Sequence, residues 1–456
     1  MSRLRNFPES HEDLDRYEVD HIFHSWSYQP AVSPLRVVSA KGIRFTTADG
    51  RERLDFSSCF VSHSIGHQDP RVVEAICQQA KTLTSFAPSF SNRPRALLAR
   101  LLAEVTPGDL SRSFISLGGT EANEAAVKIA HQFTGRRKIA TRYRSYHGGT
   151  AAAMTLSAGD ARSWAQVLGG TDVIRVPQPY CYRCMFGLDY PACELRCVRF
   201  LDEVFELEGG GEQVAALIGE PVTGANGIIV PPPEYWPRVR EVCDKWGILL
   251  IADEVMTGFG RTGKWFALDH WGVVPDIMTL AKGMTCGYLP LGATVVRTHI
   301  GDHFKKNFFS HGATYAGHAL GCATALALIP IYEEDRLIEN SERMGAYLLE
   351  RALELKERHP SVGDVRGLGL FVGLELVKDR RTREPIMPVS AKIKPGLNPK
   401  LELARRLGEL GMMAMAANPG NVIALSPPLI VTKDEIDEGI ALLDQALEVA
   451  DRHAQA

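Results

Sequence analysis

Gly247-Ile248-Leu249-Leu250-Ile251-Ala252-Asp253-Glu254-Val255 is a short apolar run that ends in acid. Asp276-Ile277-Met278-Thr279-Leu280-Ala281-Lys282-Gly283 is a second such run, ending in a lysine. Short runs that are almost wholly apolar read as strands of a parallel sheet covered on both faces. In open α/β sheets, ligands bind outside the carboxyl ends of the strands. The two runs therefore aim a carboxylate and an amine at one crevice. A charge at the end of a buried strand needs a partner or a task.

Working outward, Phe114-Ile115-Ser116-Leu117, Lys138-Ile139-Ala140-Thr141 and Ala216-Leu217-Ile218-Gly219-Glu220 are further strands, separated by helical patterns. This alternation, from about residue 71 to 330, predicts a large α/β domain with a mostly parallel central sheet flanked by helices. Residues 1–70 read as an N-terminal arm with interleaved aromatics (Tyr17, Phe23, Trp26, Tyr28), then β-like alternation assigned to part of a small domain. Residues 331–456 read as a smaller α+β domain, with helices expected at about 336–358, 398–410 and 433–452 and a glycine-punctuated strand region between.

The chain has 456 residues, 23% of them charged, and a formal net charge of −3. That balance gives no reason to expect nucleic acid or an anionic membrane as partner. No apolar run reaches the length of a membrane span, and the first ten residues lack the apolar core of a signal peptide. A cytoplasmic location is the expectation.

Three more sites lie at strand ends. Leu117-Gly118-Gly119-Thr120-Glu121-Ala122-Asn123-Glu124 carries a strand into a helix through two glycines. Backbone N–H groups at such a helix start suit a phosphate, although a capped turn would explain Gly119 and Thr120 alone. Tyr146-His147-Gly148 offers an aromatic and an imidazole to stack on a planar ligand, or a packed tyrosine. Glu220 adds a third charge to the same sheet edge, or a salt bridge within the loops. Together these describe a pocket with a phosphate cradle, an aromatic lid, an acid and an amine, the set that pyridoxal 5′-phosphate requires.

At this point the sequence resembles the class III (subgroup II) aminotransferases. The resemblance is carried by Asp253-Glu254-Val255, Thr257-Gly258-Phe259-Gly260-Arg261-Thr262-Gly263, Pro275-Asp276-Ile277 and Ala281-Lys282-Gly283. It extends to Gly66-His67, to His311-Gly312-Ala313-Thr314-Tyr315-Ala316-Gly317-His318 and to Pro427-Pro428-Leu429-Ile430. It implies the fold-type I pyridoxal-phosphate fold and a homodimer, with a tetramer as the larger alternative. It also implies roles. Lys282 is the Schiff-base lysine and proton shuttle. Asp253 pairs with the pyridinium nitrogen. Val255 and Tyr146 pack on the two ring faces, with His147 and Glu220 beside them. Gly119 and Thr120 hold the phosphate, and Thr314 reaches the phosphate of the neighbouring subunit.

Two departures bear on substrate. Relatives acting on γ-aminobutyrate or ornithine carry an arginine where this chain has Gly149. Many amine:pyruvate transaminases carry a mobile arginine where this chain has the arginine-free stretch Gly411 to Asn421. The opening His24-Ser25-Trp26-Ser27, with Phe60 and Val61, resembles the taurine:pyruvate and broad ω-transaminase branch. Trp26, Phe60, Val61 and Tyr146 are then the expected substrate wall. The expected reaction is ping-pong transfer from a primary amine or ω-amino acid to a keto acid, pyruvate first. Aminomutases, racemases and decarboxylases share the same lysine and stay open.

Cys181, Cys184, Cys193 and Cys197 place four of the nine cysteines in one loop, as C-x2-C-x8-C-x3-C. Four thiolates at short spacing read as a metal site in a reducing compartment. The irregular second spacing favours an iron–sulfur cluster over zinc. Four reduced thiols packing a loop is the third reading. Transamination has no net redox step, so any metal there is expected to be structural.

Overall fold

The computed structural model describes residues 9–159, 172–387, 399–417 and 421–455. At its centre is a sheet of β1 (Leu110–Ser116), β2 (Lys138–Arg142), β3 (Val173–Val176), β4 (Val214–Gly219), β5 (Leu249–Asp253), β6 (Ile277–Leu280) and β7 (Gly292–Arg297). The order across the sheet is β1-β7-β6-β5-β4-β2-β3. Neighbours from β6 to β3 pair in parallel, and β7 runs antiparallel to both β6 and β1. The sheet is thus mostly parallel, as the apolar runs predict.

Side chains alternate across a strand, so a doubly covered sheet must feed two apolar layers. Ala140, Leu217 and Leu250 enter one cluster with Phe205, Trp236 and Val239. Their neighbours Ile139, Ile218 and Ile251 enter another with Ala126, Ile129 and Ile300. This explains why β4, β5 and β6 are buried at every position and read as continuous hydrophobic runs. The carboxyl ends Arg142, Gly219, Asp253 and Leu280 lie on one sheet edge, against the start of helix α1 (Gly119–Thr134).

The two ends of the chain meet. Strands 37–41, 44–47 and 52–55 form an antiparallel ribbon, and Met412–Met413 joins Glu52–Asp55 in parallel. A third sheet pairs residues 362–367, 372–379, 415–417 and 422–425. Helices at Leu337–Arg358, Pro399–Leu410 and Lys433–Asp451 stand where sequence periodicity expects them. Phe56 packs into the last of these, where a side chain at Gly439 would strike the Phe56 ring at 2.2 Å. The arm contains a helix at His11–His21 with no buried residue, followed by the exposed Phe23. Among the described residues, no helix is long and apolar enough to cross a membrane.

Candidate active site

A cavity of about 620 Å³ opens at the carboxyl edge of the central sheet. Gly119, Thr120, Tyr146, His147, Glu220, Asp253, Val255 and Lys282 all line it, with Trp26 and Phe60 at its mouth. Strand ends explain the convergence. β5 delivers Asp253, the turn after β6 delivers Lys282, β4 leads to Glu220, β2 leads to Tyr146 and His147, and β1 leads to Gly119 and Thr120.

Asp253 is buried and fully engaged. Asn123 Nδ2 and His147 Nδ1 donate to its Oδ2 at 2.8 and 2.7 Å, and the Val255 N–H donates to Oδ1 at 3.1 Å. Asn123 also donates to the His147 carbonyl at 2.8 Å and accepts from the Thr279 hydroxyl at 2.8 Å. His147 thus meets the carboxylate directly. Glu254, the next residue, points away. It accepts from Thr257 and from the N–H groups of Ala267 and Leu268, while burial pushes its carboxyl up to about 7. Glu220 is buried and accepts from the Tyr146 and Gly224 N–H groups at 3.2 and 2.8 Å. Burial also raises its pKa.

Lys282 has a left-handed backbone, φ 40°. Such conformations cost about 1–3 kcal/mol in a non-glycine residue and cluster at functional sites. Helix α1 begins after Gly118 without a side-chain cap, so its first N–H groups face the cavity end of a 16-residue helix. Close approach is built in here. A Cβ on Gly119 would lie 2.8 Å from Val255 Cγ1, and one on Gly148 would lie 2.5 Å from Thr120 Oγ1.

The mouth is aromatic. The Trp26 ring stands edge-on to Phe60 and Tyr146, with centroids 6.3 and 6.2 Å apart. Phe60 reaches the cavity because Ser58, Cys59, Phe60 and Val61 form a left-handed turn, φ 45°, 46°, 62° and 65°. The same turn sends Val61 elsewhere. It is buried with Val222, Ile228 and Met256 and does not line the cavity, where Ser62 stands instead. Thr314 is exposed on a loop and lies outside the cavity of its own chain. Met415 and Met256 line the cavity, whereas Met412 is a buried strand residue. Among the described lining residues, Lys282 is the one lysine or arginine. Asn123, Ser62 and Thr285 are lining residues that sequence reasoning missed. For Asn123 the available signal was a polar residue set among Ala122, Ala125 and Ala126 on a helix face that must be buried.

The four loop cysteines stand apart from this cavity. They are free thiols that line one small cavity of about 20 Å³. Among the described residues, the set of three metal-ligating groups whose donor atoms all lie within 4.8 Å of one another is a different one: Cys59, His63 and His67.

The observed features fit pyridoxal phosphate. Val255 and Tyr146, the buried Asp253 carboxylate and the uncapped start of α1 all border the one cavity. Comparison with known proteins agrees. The family model "Aminotransferase class-III" matches residues 27–447. A leucine/methionine racemase from Thermococcus litoralis is 38% identical over 96% of this chain and 95% of its own. A taurine–pyruvate aminotransferase from Bilophila wadsworthia is 35% identical over 96% of each. The structure of a taurine:2-oxoglutarate aminotransferase from Bifidobacterium kashiwanohense, in complex with PLP and glutamate, superimposes with a TM-score of 0.92 at 35% identity, over 98% of this chain and 99% of that one. A match that runs almost end to end, on a fold whose strand ends gather an acid and a lysine beside an uncapped helix, places this chain among the class III aminotransferases.

Proposed function

We propose that the enzyme carries an amino group from a primary amine or ω-amino acid to a keto acid, with pyruvate as the first acceptor to test. The observation that carries this reading is the apposition, in one cavity, of Lys282 and the triply bonded Asp253 beneath an aromatic mouth. Pyridoxal phosphate, when bound, supplies an electrophilic aldehyde and a ring that accepts an electron pair. The chain's residues do the rest. Lys282 would hold the cofactor through its Nζ, and the same amine would take up and return the substrate proton. Asp253 would hold a proton on the ring nitrogen, with Asn123 and His147 fixing the carboxylate's orientation. Val255 and Tyr146 would pack against the ring, and Gly119 and Thr120 would receive the phosphate at the positive end of α1. Trp26 and Phe60 exclude water and set the shape of the donor. Glycine at position 149, where relatives acting on γ-aminobutyrate or ornithine carry arginine, favours donors without a second carboxylate.

A second reading, racemisation of an amino acid without a keto partner, is favoured by the similarity to the Thermococcus litoralis protein. An assay decides between them. Product formation that requires both a donor amine and pyruvate supports transfer. Loss of optical activity in a single amino acid, with no keto acid present, overturns it.

Oligomerisation belongs to the proposal. Thr314 and Tyr315 are exposed, as are Phe308, Phe86 and Phe90. Phe86 and Phe90 stand edge to face with ring centroids 4.9 Å apart, and an exposed apolar pair of this kind supports a docking surface. In a homodimer Thr314 would complete the partner's phosphate site, so Thr314→Ala should loosen the cofactor without touching Lys282. The division at residues 70 and 330 is proposed as the boundary of the cofactor domain. A metal in the four-cysteine loop, iron–sulfur before zinc, is supported only by their shared small cavity. Metal and sulfide analysis of protein purified without air tests it, and metal-free protein of full activity removes it.

A further inference from the structure

Asp55, Cys59, His63 and His67 fall four residues apart in sequence. On a regular right-handed helix they would form a long stripe. Here the left-handed turn from Ser58 to Val61 folds the segment back on itself. The donor atoms of Cys59, His63 and His67 come within 4.8 Å of one another. The two imidazole rings lie 4.5 Å apart between centroids. None of the three takes part in the proposed amino transfer.

Each ligand is already held. His67 Nε2 donates to Asp55 Oδ2 at 3.3 Å, and the Cys59 thiol and N–H donate to the same oxygen at 3.5 and 3.0 Å. Ser57 fixes the other oxygen of Asp55 through its N–H and its hydroxyl, both at 2.9 Å. His63 Nδ1 is hydrogen-bonded to Ser62 Oγ at 3.0 Å. Histidines that ligate a metal almost always engage their other ring nitrogen with a carboxylate, carbonyl or water, which sets ring orientation. Asp55 engages one nitrogen of His67 and Ser62 one nitrogen of His63, so each ring keeps a second nitrogen for a metal. A side chain at Gly287 would lie 2.4 Å from His63 Cε1, so the ring is held from its other side as well. A cavity of about 310 Å³ borders both histidines and gives an ion a way in.

We propose that Cys59, His63 and His67 bind a divalent cation of the zinc class, and that the ion clamps the left-handed turn on which Phe60 is mounted. One thiolate and two imidazoles are the donor set zinc accepts, with the fourth position left for water or Asp55. Binding exchanges the Cys59 thiol proton, released to solvent, for a sulfur–metal bond, so no oxidant or reductant is needed. A left-handed backbone is unfavourable for residues that carry a Cβ, so four in succession need support. A clamp formed by residues within and just beyond the turn is a direct way to hold it.

The test uses the cofactor-loaded enzyme, stripped with a chelator and titrated with Co²⁺ as a spectroscopic substitute for zinc. The expected result, read in a variant with Cys181, Cys184, Cys193 and Cys197 all changed to serine so that the loop thiols contribute nothing, is one cobalt per chain with a thiolate-to-cobalt band in the near ultraviolet. In that background Cys59→Ala should remove the band, and His63→Gln should weaken cobalt binding at least tenfold. Absence of bound cobalt overturns the proposal. So does a band that survives both Cys59→Ala and His63→Gln. Should Cys59→Ala fail to fold, His63→Gln decides alone. The readout needs no turnover, so it stands or falls separately from amino transfer.

Discussion

Asp253 and Glu375 are both carboxylates buried within the protein, and they are stabilised in opposite ways. Asp253 is held by an amide, an imidazole and a backbone N–H, and one side of it opens on a cavity. Glu375 is wholly enclosed. It accepts from Tyr180 and Arg183, and from Arg366 at 2.8 Å. Arg366 also meets Asp364 at 2.6 Å and the Ile228 carbonyl at 2.9 Å, which ties the loop after β4 to the C-terminal sheet. The lesson is that burial of a charge does not mark a site. What separates the two is whether the surroundings complete the charge or leave it a face for something absent.

That comparison can be broken or sharpened by substitution. The largest effect belongs to Lys282→Ala. Turnover should fall by about 10⁴-fold or more, since one side chain serves as covalent anchor and proton carrier. The absorption band of the cofactor–lysine linkage should vanish with it, while the melting temperature of the cofactor-free protein stays near the wild-type value. Asp253→Asn comes next. It keeps the shape and loses the charge, and should lower kcat by about 10²–10³-fold, the scale seen when one preorganised electrostatic group is removed. Normal kcat in this variant would place the electron-sink role elsewhere.

Glu375→Ala should do the reverse. It strands Arg183 and Arg366 without their anion, and breaking a buried ion pair costs about 3–5 kcal/mol. Denaturant unfolding should show that loss, with kcat per folded molecule largely kept. A Glu375 variant as stable as wild type would contradict the structural role given to this cluster. The smallest effect on stability belongs to Gly149→Arg. A Cβ at Gly149 meets nothing within 4 Å, and its backbone needs no glycine conformation. The fold should accept the arginine, and donors with a terminal carboxylate should gain in kcat/KM by about tenfold, or 1.4 kcal/mol of added binding. An unchanged donor profile would show that this position does not face the substrate.

Much of the site was legible because parallel strands are uniform. An apolar run that stops at a charge announces where the charge goes, and Asp253, Glu220 and Lys282 follow that rule. Lys282 and Asp253 were tied to each other only by the expectation that neighbouring strands share an edge, which the order β4-β5-β6 bears out. Other features resist reading from sequence for a physical reason. Asn123 reaches Asp253 across 130 residues, through a helix whose rotation no local pattern fixes. Val61 was expected beside Phe60, but four consecutive left-handed residues defeat both helix and strand periodicity, and it turned to the core. The same turn gathers Cys59, His63 and His67. The loop with the conspicuous cysteine spacing places its thiols around a common hollow, without any three of them converging as that set does.

The strand Glu52–Asp55 finds its parallel partner at Met412–Met413, about 360 residues later. Leu54 and Phe56, buried in the finished molecule, donate backbone hydrogen bonds to the carbonyls of Gly411 and Met413. At synthesis rates of about 5–20 residues per second, the amino-terminal ribbon leaves the ribosome roughly 20–70 s before the strand that completes it. The turn bearing Phe60 hangs directly from that ribbon. The active-site mouth is therefore among the last features to be assembled on a nascent chain.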